Sequence, residues 1–114
     1  MGRIYRPIQL CYSRNCIDVV GLIDTGADET VISESIARKL KCKIEGELEA
    51  NTITLQPVKL KTTHVQILDR WANLSTELLV GITNQFFDVD EGIDVILGVD
   101  FLQKTGYHVE FFED

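Results

Sequence analysis

Val19-Val20-Gly21-Leu22-Ile23-Asp24-Thr25-Gly26-Ala27-Asp28-Glu29-Thr30-Val31-Ile32-Ser33 is the stretch whose reading decides the fold. An apolar run ends in a carboxylate, Asp24, followed at once by a small hydroxyl residue, a glycine and a second apolar run. The pattern predicts strand, tight turn, strand, with Asp24 where the first strand ends. A charge set against two buried runs is costly unless it is paired, hydrogen-bonded or put to use. Gly26 allows backbone conformations closed to other residues and can bring its N–H toward the Asp24 side chain. The turn therefore reads as a holder for a carboxylate.

Upstream, Ile4 to Tyr12 alternates loosely and suits a strand, which Pro7 confines to an edge or a break. Ser13-Arg14-Asn15 is a turn signal and Cys16 to Ile23 the returning strand, so a hairpin delivers Asp24. Downstream, Ser33-Glu34-Ser35 caps a short helix from about Glu34 to Leu40, with Ile36 and Leu40 on one face. Arg38, Lys39 and Lys41 complement the dipole at its carboxyl end. Lys43 to Leu68 reads as extended chain, with Val58-Lys59-Leu60-Lys61 in strict alternation. Asp69-Arg70-Trp71-Ala72-Asn73 is a polar turn, and Leu74 to Ile82 is another strand. Trp71 is expected to pack over a sheet edge. A second apolar run, Val95-Ile96-Leu97, meets Gly98 and passes into a helix over about Val99 to Lys104 that Gly106 stops. Tyr107 to Phe112 then reads as a terminal strand.

The chain of 114 residues predicts a single domain, 1–114, with room for a core. Its 45% hydrophobic content and the lack of any apolar run near ~20 residues exclude a membrane-spanning helix. The formal charge is -7, from 11 basic and 18 acidic residues. The basic cluster from Arg38 to Lys43 is short and flanked by acids, so no nucleic-acid partner is expected. Cys11, Cys16 and Cys42 make an odd count without Cys-x-x-Cys spacing, and no signal-peptide pattern opens the chain. They are expected to be packed thiols in a reducing, cytoplasmic setting. Arg6 stands where a myristoylation signal wants Ser or Thr, and Asn73-Leu74-Ser75 would matter as a glycosylation site only in a secreted protein.

Asp24-Thr25-Gly26-Ala27-Asp28, preceded by Leu22-Ile23 and followed by Thr30-Val31-Ile32, resembles the active-site motif of retroviral-type aspartic proteases, the retropepsins. Ile96-Leu97-Gly98 resembles the second motif of that family, which runs beside the active-site turn and enters a short helix. The two together are more specific than either alone, and the resemblance covers about Ile8 to Phe112. Viral members usually place Arg directly after that glycine, paired with the Asp that Asp28 matches. Val99 stands there instead, so Asp28 needs another partner or faces substrate. Gly98-Val99-Asp100-Phe101-Leu102 resembles the cellular branch. The resemblance implies an all-β half-barrel with one or two short helices, assembled as a two-fold homodimer. It places a flap hairpin between Lys43 and Leu68, with Gly46 or Ala50-Asn51 as candidate tips; the Gly-rich tip of the viral enzymes is missing.

The implied activity is peptide-bond hydrolysis. One carboxylate must be ionised to activate water and another protonated to polarise the carbonyl. Two aspartates held within hydrogen-bonding distance share one proton, aspartic proteases being the standard example. The chain supplies one Asp-Thr-Gly, so Asp24 is expected to meet its equivalent across a two-fold axis. By resemblance Thr25 bonds across that axis, Gly26 donates its N–H to the carboxylates, and Ala27 and Asp28 lie along a bound peptide. Ala27 replaces a hydroxyl residue of pepsin-like enzymes, which implies a higher apparent pKa for the dyad and activity from mildly acidic to near-neutral pH. Leu22, Val31, Ile32, Ile96 and Leu97 are candidates for core and pocket surface. The alternative is a catalytically silent dimerisation or peptide-binding module on the same fold.

Other chemistries lack their residues. His64 and His108 stand without a ligand or nucleophile pattern, so no metal is expected. Asp88-Val89-Asp90-Glu91-Gly92-Ile93-Asp94 superficially suggests a calcium loop, but its glycine falls one place early and Val99 occupies the position of the bidentate Glu. It reads as an acidic surface loop. There is no Gly-rich phosphate loop and no cofactor is implied.

Overall fold

Alternation of apolar and polar side chains becomes a closed sheet. The computed structural model describes residues 4–51, 57–84 and 93–106. In order these form β1 (Ile4–Tyr12), β2 (Asn15–Ile23), β3 (Val31–Ser33), α1 (Glu34–Leu40), β4 (Gly46–Asn51), β5 (Pro57–Asp69), β6 (Leu74–Thr83), β7 (Val95–Leu97) and α2 (Val99–Thr105). The strand order is β1-β2-β7-β3-β6-β5-β4, and β1 also pairs with β5 through Gln9–Cys11 against Gln66–Leu68. Six strands thereby close into a barrel, which removes their edges, while β4 hangs from β5 alone. Pro7 faces Val20 of β2, two residues before the β5 pairing begins, so its missing N–H interrupts no described ladder.

Along β6, Thr76, Leu78 and Val80 turn inward while Ser75, Glu77 and Leu79 turn out. The same period of two brings Ile8, Leu10, Ile23, Ile32, Val65, Ile67, Val95 and Leu97 into one core. Each such side chain contributes about 1.5–3 kcal/mol on full burial. α1 adds Ile36, Ala37 and Leu40, and α2 adds Phe101. The Ser33 hydroxyl caps α1, accepting from the Ile36 N–H at 3.1 Å. α1 ends at Lys41, which is left-handed (φ 59°) and sends its N–H back to Ala37 and Arg38. α2 runs one residue beyond the expected Lys104 and closes at Gly106, whose φ of 69° suits glycine.

Three expectations are corrected. Cys11 and Cys16 form a disulfide, leaving Cys42 as the free thiol. The turn is shorter than the three residues expected: Tyr12 pairs with Asn15 around Ser13-Arg14, which sets Cys11 directly opposite Cys16 with Cα atoms 4.1 Å apart. In the chain-entropy view so short a loop contributes about 2 kcal/mol. The cysteine argument for a reducing compartment loses its basis here. Second, neither Gly46 nor Ala50-Asn51 is a hairpin tip. Gly46 pairs with Thr62 and Asn51 with Pro57, so the β4–β5 connection falls in 52–56, outside the described residues. Third, Trp71 does not pack down on a sheet edge; it is 77% exposed, with the Arg6 guanidinium 5.3 Å from its ring centre. The Tyr107 to Phe112 strand, His108 and the acidic segment 88–92 lie outside the described residues. Among the described residues no helix is long and apolar enough to cross a membrane.

Candidate active site

β2 and β7 run parallel, with Ile23 beside Leu97, so both chains leave the sheet at the same edge. β3 runs antiparallel to β7, with Val31 beside Ile96, and therefore starts at that edge. The segment from Asp24 to Thr30 must cross the end of β7 to join them. Backbone bonds lace the crossing down: Asp24 N–H donates to the Leu97 carbonyl at 3.0 Å, Val99 N–H to Ala27 at 2.8 Å, and Asp100 N–H to Asp28 at 3.2 Å. Gly98 sits under the crossing, where a Cβ would come within 2.8 Å of the Ala27 and Glu29 carbonyl oxygens. A side chain there would push the whole turn outward.

The Asp24 carboxylate is partly exposed and accepts the Gly26 N–H at 2.9 Å, while the Asp24 carbonyl accepts from Ala27 at 3.1 Å. Gly26 does not use a left-handed conformation; among the described glycines only Gly106 does. Its service is room, because a Cβ at position 26 would stand 3.2 Å from Asp24 Oδ1. Thr25 and Asp28 are exposed, and neither side chain has a hydrogen-bond or ion-pair partner among the described residues. Ala27 is half-buried. Burial first, then the negative charges of Asp28 and Asp100, push the Glu29 carboxyl above its ordinary value.

Two residues of this site escaped sequence reasoning. Thr30, fully buried, donates its N–H to Asp100 Oδ2 at 3.0 Å and its hydroxyl to Asp100 Oδ1 at 2.7 Å. The same hydroxyl accepts the Gly98 N–H at 3.0 Å, and the Thr30 carbonyl accepts from Gly81 at 3.0 Å. Asp100 Oδ1 also receives the Phe101 N–H at 2.7 Å. The signal was the Asp in Gly98-Val99-Asp100, whose partner stands 70 positions away. Of the candidate pocket residues, Leu22, Ile32 and Leu97 are buried, whereas Val31 and Ile96 are half-buried side by side.

Other polar groups lie elsewhere. His64 Nδ1 is 2.8 Å from Glu45 Oε2, an exposed pair beside a concavity of about 440 Å³ that none of Asp24 to Asp28 lines. Among the described residues no three His, Cys, Asp or Glu side chains are grouped to hold a metal.

Residues 15–104 match the family described as gag-polyprotein putative aspartyl protease. The chain belongs to that family. Its fold is retropepsin-like. EIAV protease, solved in complex with the inhibitor HBY-793, superposes with a TM-score of 0.63 at 23% identity, covering 96% of this chain and 94% of that one. A foamy viral protease-reverse transcriptase, solved with an RNA/DNA hybrid, gives 0.67 at 16% identity, and there 97% of this chain corresponds to 13% of the larger one. No curated protein matches the chain in sequence. In this retropepsin-like domain, then, the Asp24 turn is a half-exposed carboxylate on a hydrogen-bonded loop, with one N–H donor among the described residues.

Proposed function

We propose that the chain is an aspartic endopeptidase, active as a homodimer, with 1–114 as one domain and Asp24 of each copy forming the catalytic pair. The observation that carries this is the Asp24 turn: a carboxylate at a sheet edge, tethered by one N–H, with no other carboxylate bonded to it among the described residues. A lone carboxylate can activate water but cannot also supply the proton that polarises the scissile carbonyl. A second copy across a two-fold axis supplies it, and proximity forces the two groups to share one proton.

In the reaction the ionised Asp24 takes a proton from water as its oxygen attacks the carbonyl carbon. The protonated Asp24 gives its proton to the carbonyl oxygen, forming a gem-diol. The C–N bond then breaks as the nitrogen takes the proton drawn from water and a diol hydroxyl returns its proton to the other Asp24, re-forming the C=O. Thr25, exposed and without a side-chain partner among the described residues, is assigned the bond across the axis, and Gly26 the hold on the carboxylate. Ala27 and Asp28 lie next along the turn, where an extended peptide would bond main chain to main chain and seat alternate side chains in pockets. Half-buried Val31 and Ile96 favour apolar residues beside the cut bond. The cytoplasmic setting that goes with this reading requires Cys11 and Cys16 to be reduced there.

Incubating wild type and Asp24→Asn with a peptide library tests the reading. Wild type is expected to cleave, with an optimum between about pH 4 and pH 7, and the variant to lose at least roughly a thousandfold in kcat/KM. Cleavage that survives the substitution removes Asp24 from the role. Silence from both proteins between about pH 3 and pH 8 favours a peptide-binding module instead.

A further inference from the structure

The Asp24 loop has no regular structure between β2 and β3, yet a carboxylate pair works only if each partner is held in place. Its far end is fixed at Thr30, and every polar atom of Thr30 is engaged: N–H and hydroxyl hydrogen by Asp100, hydroxyl oxygen by Gly98, carbonyl by Gly81. We infer that Asp100 is a positioning residue which, through Thr30, sets the Asp24 turn at the height the reaction needs. The inference rests on the peptidase reading and adds to it a residue that touches neither water nor peptide.

The chemistry of the contact singles out a carboxylate. Thr30 offers two donors to two different oxygens, and Phe101 offers a third to Oδ1. An ionised Asp accepts at both oxygens, whereas Asn presents an NH2 at one of them. With its oxygen toward the hydroxyl, Asn sets its NH2 against the Thr30 N–H. Turned over, it sets the NH2 against the Phe101 N–H. Either way an N–H that Asp100 receives would meet an NH2 in place of an acceptor. Asp100 is also in the first turn of α2, where an anion is favoured. Its own N–H binds the Asp28 carbonyl, and Val99 N–H binds Ala27, so a shift at Asp100 passes directly into the residues after Asp24. The turn and α2 therefore move together.

The test compares wild type with Asp100→Asn, Thr30→Val, Thr30→Ser and the Asp100→Asn/Thr30→Val double variant. It reads kcat, KM, melting temperature and amide exchange on the intact protein. At a temperature where all are folded, Asp100→Asn and Thr30→Val are expected to lose roughly 10- to 100-fold in kcat with KM within roughly twofold. Thr30→Ser keeps the N–H and hydroxyl and stays within roughly threefold of wild type, a rescue that a packing role for the methyl would not give. The double variant falls no further than the worse single, because both remove one device. Exchange at Ala27 and Val99 rises at least roughly tenfold in Asp100→Asn while core amides such as Val80 keep their protection. A folded Asp100→Asn with wild-type kcat, a loss carried by KM, or unchanged Ala27 and Val99 exchange overturns the inference. If wild type cleaves nothing, the peptidase reading fails while the exchange arm still decides this one. If Asp100→Asn does not fold, the Thr30 pair decides it.

Discussion

Two of the described turns are headed by aspartate, Asp24 and Asp69, and they differ in how completely the carboxylate is occupied. At the end of β2, Asp24 receives one N–H, from Gly26, and its side chain stays partly exposed. At the end of β5, Asp69 receives the N–H groups of Trp71 and Ala72 at 3.1 and 3.2 Å and two bonds from Arg6 at 2.9 and 2.8 Å. Only 1% of the Asp69 side chain reaches solvent. Local chemistry is the same in both, a side-chain oxygen mimicking a backbone turn. The remainder differs: a guanidinium fork takes up the acceptors of Asp69, while among the described residues the Asp24 carboxylate meets no cation. A cation completes the Asp69 turn, and among the described residues none completes the Asp24 turn, which is the difference the proposed chemistry at Asp24 draws on.

Exchanging each carboxylate for an amide gives the sharpest separation. Asp24→Asn is expected to remove cleavage and leave stability within about 0.5 kcal/mol, since Asn still accepts the Gly26 N–H. Asp69→Asn also keeps its turn bonds, but it points an NH2 at Arg6 Nε and removes the buried negative charge that faces the half-buried guanidinium. Its expected loss is about 3 kcal/mol in urea unfolding, with kcat per folded molecule unchanged. Equal stability losses in the two variants would erase the distinction.

The acid limb of stability carries the next effect. Burial pushes the Asp69 carboxyl up, but bonds from Arg6, Ala72 and Trp71 and the guanidinium charge outweigh it and hold the group below its ordinary 3.8. A carboxyl depressed on folding stabilises the native state above its unfolded value, and that contribution is lost as pH falls through the folded one. Stability should therefore drop below about pH 4, and Asp69→Asn should flatten that drop. Glu45, held low by bonds from His64, acts in the same sense. Glu29 acts oppositely: its carboxyl is raised by burial and by Asp28 and Asp100, so its contribution is full below 4.5 and lost as pH rises. Urea midpoints from about pH 7 to pH 3 check the sign, and identical acid slopes in wild type and Asp69→Asn would contradict it.

What the sequence disclosed follows the range of the forces involved. Strand β2 ending before Asp24, the Ser33 cap of α1 and the Gly106 stop of α2 are written in adjacent residues, and all were legible. Arg6 with Asp69, and Thr30 with Asp100, pair across 63 and 70 positions, and a single sequence carries no sign that they meet. Barrel closure through Gln9–Cys11 and Gln66–Leu68 was hidden for the same reason. The Cys11–Cys16 disulfide was within reach: reading Ser13-Arg14 as a two-residue loop sets those cysteines opposite one another. The Asp-Thr-Gly turn showed where a carboxylate would be held, but not that the hold passes through α2.

The smallest effect asks what completes the Asp69 turn, the ion pair or the aromatic ring beside it. Arg6 lies over Trp71 at 5.3 Å while forking onto Asp69, so both contacts draw on one side chain. Trp71 is 77% exposed, and a cation over an exposed ring contributes only about 0.5–1 kcal/mol. Its backbone N–H, which binds Asp69, survives any side-chain change. Trp71→Ala is therefore expected to lower stability by about 0.5 kcal/mol, against about 3 kcal/mol for Asp69→Asn, measured by circular dichroism in urea. Should Trp71→Ala match the larger loss, the ring would be what keeps the Arg6 fork in place, and without it Asp69, like Asp24, would rest on its backbone N–H donors alone.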